Sequence, residues 1–98
     1  MTGTTMTSAG LDPRRRRLLF RAWHRGIREM DLVLGSFADR EIAKMDEAEL
    51  DMFERLLEID DREMVKWVTG EAQLPPHLDT PLFGRIRAFN PDILGANG

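Results

Sequence analysis

The sequence predicts an all-α protein, a compact single-domain five-helix bundle, on three observations. Apolar residues recur at i, i+3, i+4 spacing along most of the chain. No segment alternates apolar and polar with the period of two that a half-buried strand needs. Helix-start signals, an Asp or Thr before Pro or an Asp three residues before Glu, recur between the periodic stretches. At 98 residues the chain buries roughly two-thirds of its unfolded surface, enough for one modest core and not for two.

Asp12 before Pro13 is an N-cap followed by the residue best suited to the first helical position, so the first helix runs from about Pro13 to His24 with Leu19, Ala22 and Trp23 on its apolar face. The second follows Gly26 and continues to about Lys44, carrying Ile27, Met30, Leu34, Phe37 and Ala38, with Gly35 a possible kink. Asp46 and Glu49 have the spacing of a capping box and open a third helix that presents Leu50, Phe53, Leu56 and Leu57. Asp60 and Glu63 repeat the device for a short fourth helix, with Met64, Trp67 and Val68, closed by Gly70. Residues 71–79, with Pro75-Pro76, read as a loop. Thr80-Pro81 then starts a fifth helix that buries Leu82, Ile86 and Phe89 and ends before Pro91. Residues 1–11 are Thr-, Ser- and Gly-rich without periodicity and are expected to form a disordered tail, 12–90 the helical domain, and 91–98 a flexible C-terminal tail.

The net charge of −3 conceals an asymmetry. Up to Met30 there are seven arginines against Asp12 and Glu29, whereas Asp31 to Met64 holds twelve acids against four basic residues. Without cysteine the chain has no disulfide, thiolate nucleophile or thiolate-bound metal. No apolar run reaches the roughly 18 residues needed to span a bilayer, so membrane insertion is not expected. The start of the chain is hydroxyl- and arginine-rich like an organellar presequence, but its arginines run straight into the first apolar helix face.

The segment Arg25-Gly26-Ile27-Arg28-Glu29-Met30-Asp31 places a glycine and four charged residues at the break between the first two helices. Gly26 has two readings there, as a helix terminator or as a point of close backbone approach. Glu29 and Asp31 suit the first turn of a helix, where the macrodipole favours acids and Glu29 can cap free amides; a reactive carboxylate pair is the alternative. Arg25 and Arg28 gain nothing from that dipole, so they call for acid partners or a binding surface. Arg14 to Arg17 could grip phosphates or form a solvated face. A helix-turn-helix reading of the third and fourth helices fails on the acids that surround Arg62 and Lys66, so no nucleic-acid partner is expected. His24 and His77 have no metal-ligand spacing, Trp23 and Trp67 read as core anchors, and no catalytic motif or phosphate-cradling loop is present.

Arg25-Gly26-Ile27-Arg28-Glu29 resembles the RGxxE signature of the succinate dehydrogenase (SdhE-like) FAD assembly factors, and Met30-Asp31 continues its bacterial form. Arg55-Leu56-Leu57-Glu58 with Asp60-Asp61 and Trp67 is similar to that family's next block, so the resemblance covers about residues 13–90. It implies a compact five-helix fold and a non-enzymatic, chaperone-like assembly factor. Such a factor binds the flavoprotein subunit of succinate dehydrogenase, in some bacteria fumarate reductase, and promotes covalent attachment of FAD to it. By the same resemblance Arg25, Gly26, Arg28, Glu29 and Asp31 are the partner-binding residues, and no cofactor is held stably. The free protein is expected to be a monomer, placed in the bacterial cytoplasm or, in a eukaryote, the mitochondrial matrix. The competing reading is another helical interaction module, an adaptor or a toxin-neutralising protein.

Overall fold

The computed structural model describes residues 10–89, in which five α-helices follow one another: α1 Pro13–Trp23, α2 Arg28–Glu41, α3 Glu47–Leu57, α4 Asp61–Thr69 and α5 Pro81–Phe89. No strand occurs among the described residues, as the missing period of two predicts. Each start has a local cause. Asp12 accepts a hydrogen bond from the Arg15 amide, and Pro13 follows it. Asp46 and Glu49 close the full capping box of α3. At α4 only half of the expected box forms: Asp60 accepts from the Arg62 amide at 2.9 Å, while the Glu63 carboxylate lies 3.8 Å from Lys66. Gly70 stops α4 in the left-handed conformation, φ +83°, which a glycine adopts without a steric penalty.

Two boundaries differ from expectation. The second helix ends its α-helical part at Glu41 and tightens into a 3-10 turn over Ile42–Lys44, which buries Ile42. The 71–79 loop contains another such turn, Pro76–Leu78, which drives Leu78 into the core. Of the expected N-terminal tail, Leu11 is described and packs against the core; residues 1–9 and the expected C-terminal tail lie outside the described residues.

One core unites all five helices: Leu18, Leu19 and Ala22 of α1, Met30, Val33, Leu34, Phe37 and Ala38 of α2, then Phe53, Leu56, Met64, Trp67, Phe83 and Ile86 from the rest. α1 lies along α2, and its arginines account for the charge asymmetry. The Arg14 guanidinium reaches Glu47 at 3.1 Å, Asp51 at 2.6 Å and Glu54 at 3.0 Å, all on α3. Arg15 donates to the Ile42 carbonyl at 2.9 Å and to that of Met45. The basic start of the chain is thus folded onto its acidic middle. Gly35 produces no break in α2. It is buried under the Trp23 indole, where a Cβ would stand 2.3 Å from Cδ2, so its missing side chain lets α1 and α2 approach.

Candidate functional site

The α1–α2 corner, residues 24–27, interlocks with the α3–α4 corner. Arg25 reaches across with its whole fork. Its Nε donates to Asp61 Oδ1 at 2.7 Å, one Nη to the Leu57 carbonyl, and the other to the Ile59 carbonyl at 2.6 Å. The two carbonyls stand at the C-terminal end of α3, where backbone acceptors lack helical partners, and the guanidinium satisfies them. Asp61, the first residue of α4, returns the exchange. Its Oδ2 accepts from the Gly26 amide at 2.6 Å and the Ile27 amide at 3.0 Å. The Arg25 side chain is 9% exposed and that of Asp61 8%. Asp31 closes the corner from its own side by accepting from the Arg25 amide.

Of the five residues singled out in the sequence, two therefore face inward and three outward. Arg25 and Asp31 hold the corner in shape. Gly26, Arg28 and Glu29 are exposed, and neither the Arg28 nor the Glu29 side chain has a hydrogen-bond or ion-pair partner among the described residues. The capping role open to Glu29 is not taken up: the N-cap of α2 is Ile27, without a side-chain cap. The helix-terminator reading of Gly26 is also displaced. α1 ends at Trp23 with His24 as its cap, and Gly26 is not in the left-handed region. A Cβ at Gly26 would lie 3.4 Å from Asp61 Oδ2, ordinary van der Waals contact, so the fold admits a side chain there and the bare backbone faces outward. Arg25 finds the acid partner that its position demands, and Arg28 does not.

The residue that sequence reasoning missed is Asp61. Beside Asp60 it reads as one more first-turn acid, favoured by the helix dipole. The one available signal was that an acid this close to an N-cap is not needed for capping. Two other arginines tie α5 to its neighbours from exposed positions: Arg87 donates through Nε and Nη2 to the Trp67 carbonyl at 3.0 and 2.7 Å, and Arg85 reaches Glu49 at 3.0 Å. A surface depression of about 640 Å3, lined by residues including Val68, Gly70, Asp79 and Arg87, shares no residue with the corner. Among the described residues no group of three or more His, Asp or Glu side chains is arranged to hold a metal ion, and no helix is long and apolar enough to cross a membrane.

The corner presents bare backbone beside one cation and one anion that have no partner among the described residues. A family described as the flavinator of succinate dehydrogenase matches residues 16–90. The FAD assembly factor SdhE of Acetobacter pasteurianus is 41% identical over 76 residues, covering 78% of this chain and 70% of that protein. The mitochondrial succinate dehydrogenase assembly factor 2 of Dictyostelium discoideum is 34% identical over 73 residues, 74% of this chain and 52% of that one. That of Saccharomyces cerevisiae is 37% identical over 70 residues, 71% of this chain and 43% of that one, so the chain spans about half the length of these mitochondrial relatives. With one family matching three-quarters of its length, from within α1 through the end of α5, this chain belongs to the flavinators of succinate dehydrogenase.

Proposed function

We propose that the protein promotes covalent attachment of FAD to the flavoprotein subunit of succinate dehydrogenase, or of a related fumarate reductase, by docking onto that subunit through the α1–α2 corner. The observation that carries this reading is the division of labour within the corner. Arg25, Asp31 and Asp61 are consumed in fixing its shape, and Gly26, Arg28 and Glu29 are left exposed on a support that does not need to reorganise on binding. In this reading Gly26 lets the partner's backbone approach closely, while Glu29 and Arg28 add directional charged hydrogen bonds. The protein is not the catalyst. The bond forms in the flavoprotein's own active site, and the assembly factor contributes orientation, where a small gain in alignment changes a rate greatly. FAD is acted on within the partner and is not held by the free monomer. The compartment is the flavoprotein's: the bacterial cytoplasm or the mitochondrial matrix.

The test compares covalent flavin in the denatured flavoprotein from cells that lack this gene and carry it back as wild type, Glu29→Ala or Gly26→Arg. Because Glu29 is exposed and unpartnered and Gly26 has room for a side chain, both variants should remain helical with melting temperatures within a few degrees of wild type. Covalent flavin should fall at least tenfold in each, which corresponds to about 1.4 kcal/mol. Full flavinylation by both variants would leave the corner a structural joint and the reading without a mechanism.

A further inference from the structure

Phe20 is the one large hydrophobic side chain among the described residues that is left exposed, at 63%. Scattered apolar surface residues need no explanation, but this one is held in place. Its ring stacks on His24 with centroids 3.9 Å apart and planes 16° from parallel. The His24 imidazole is fixed in turn by its Nδ1, 2.6 Å from the Phe20 carbonyl. The pair forms a flat plate on the outer face of α1, and an aromatic surface already held by stacking and a hydrogen bond loses little freedom when a partner covers it. One turn earlier stands Arg17. Its neighbours are engaged, Arg14 on the acids of α3, Arg15 on the 42–45 turn and Arg16 on the Leu11 carbonyl at 2.7 Å, whereas Arg17 is exposed and has no partner among the described residues.

We infer that Arg17, Phe20 and His24 form a second docking surface, which receives a carboxylate-bearing segment of the flavoprotein subunit with an apolar side chain beside the carboxylate. This rests on the function proposed above. Two observations argue for this occupant. The surface is continuous with the docking corner, since His24 caps α1 two residues before Gly26. Its charge is also opposite to the protein's: a chain of net charge −3 keeps the uncompensated Arg17 and Arg28 at either end of this stretch, so an anionic partner is oriented toward it. A nucleic-acid strand would need a longer basic groove interleaved with aromatics, and one phenyl ring is too little to hold a membrane surface.

Binding of the purified full-length protein to the isolated flavoprotein subunit should be measured by titration calorimetry for wild type, Phe20→Ala, Arg17→Glu and Glu29→Ala, with self-association followed by sedimentation. Both α1 variants should keep the wild-type circular dichroism spectrum and raise Kd about tenfold or more, as loss of an interface anchor does. Arg17→Glu should in addition flatten the dependence of Kd on salt. Wild-type affinity in both variants, with binding lost only in Glu29→Ala, would overturn the second surface and leave the corner standing. Failure of the wild-type protein to bind the flavoprotein would instead remove the proposed function and this inference with it. A self-association that Phe20→Ala abolishes, with flavoprotein affinity unchanged, would assign the plate to a second copy of this chain and overturn the proposal.

Discussion

One buried carboxylate, Asp61, accepts three N–H groups from a segment 34 to 36 residues away, and the guanidinium beside it holds the end of α3. Removing one partner of such a pair leaves the other charged and desolvated, an effect larger than the loss of any exposed ion pair. Asp61→Ala should therefore lower the unfolding free energy by about 3 kcal/mol, read from urea denaturation followed by helical circular dichroism. Glu29→Ala, nearby in the same structure and exposed, should change it by less than about 0.5 kcal/mol. Comparable values for the two would mean that the clamp does not support the corner. The contrast also separates two ways of losing flavinylation: Asp61→Ala by loosening the support, Glu29→Ala by removing a contact from a support that is intact.

Among the elements, α1 and α2 depend on a glycine for a reason unrelated to backbone freedom. In a helix interior Gly→Ala ordinarily adds stability, by up to about 1 kcal/mol. At Gly35 the added methyl would fall 2.3 Å from Cδ2 and 2.6 Å from Cε2 and Cε3 of Trp23, whose indole Nε1 is already buried without a hydrogen-bond partner. Overpacking outweighs propensity there, so Gly35→Ala should destabilise by about 1–3 kcal/mol and shift tryptophan fluorescence. A melting temperature equal to or above wild type would show that the indole has room to move. The helices themselves were legible because their signals are local: Asp12-Pro13, Asp46 with Glu49, Gly70 and Thr80-Pro81 each act within a few residues. Gly35 was misjudged because its role depends on Trp23, twelve residues earlier and on another helix. The same limit hid the clamp. Arg25 and Asp61 are joined by the crossing of two corners, and no pattern within either segment records it, whereas Arg28 stands out by local reasoning about the helix dipole, and Glu29, which the same reasoning assigns to capping, only through the family resemblance.

At the scale of the whole molecule, the arginine-rich α1 and the acid-rich α3 make the fold an electrostatic assembly as well as an apolar one, and its response to acid follows from specific groups. The Arg15 guanidinium, hydrogen-bonded to Asp12, holds that carboxyl below its ordinary value of 3.8. The Arg62 backbone amide does the same for Asp60. Both are N-caps, of α1 and α4, the helices on either side of the interlocked corners. A carboxyl whose folded-state pKa is depressed contributes stability that is fully present above its unfolded value and is lost as pH falls through the folded value. The unfolding free energy should accordingly be level with respect to these two groups between about pH 5 and 7, and fall below about pH 4 as α1 and α4 lose their caps. Asp60→Asn keeps a capping oxygen without the titrating charge, and should flatten the acid limb while leaving the helix start intact. Urea denaturation between pH 3 and 7, on wild type and on this variant, measures both effects. A wild-type stability that rises on going from pH 5 to pH 3 would reverse the sign and show that repulsion within the acidic middle, not capping, governs the fold in acid.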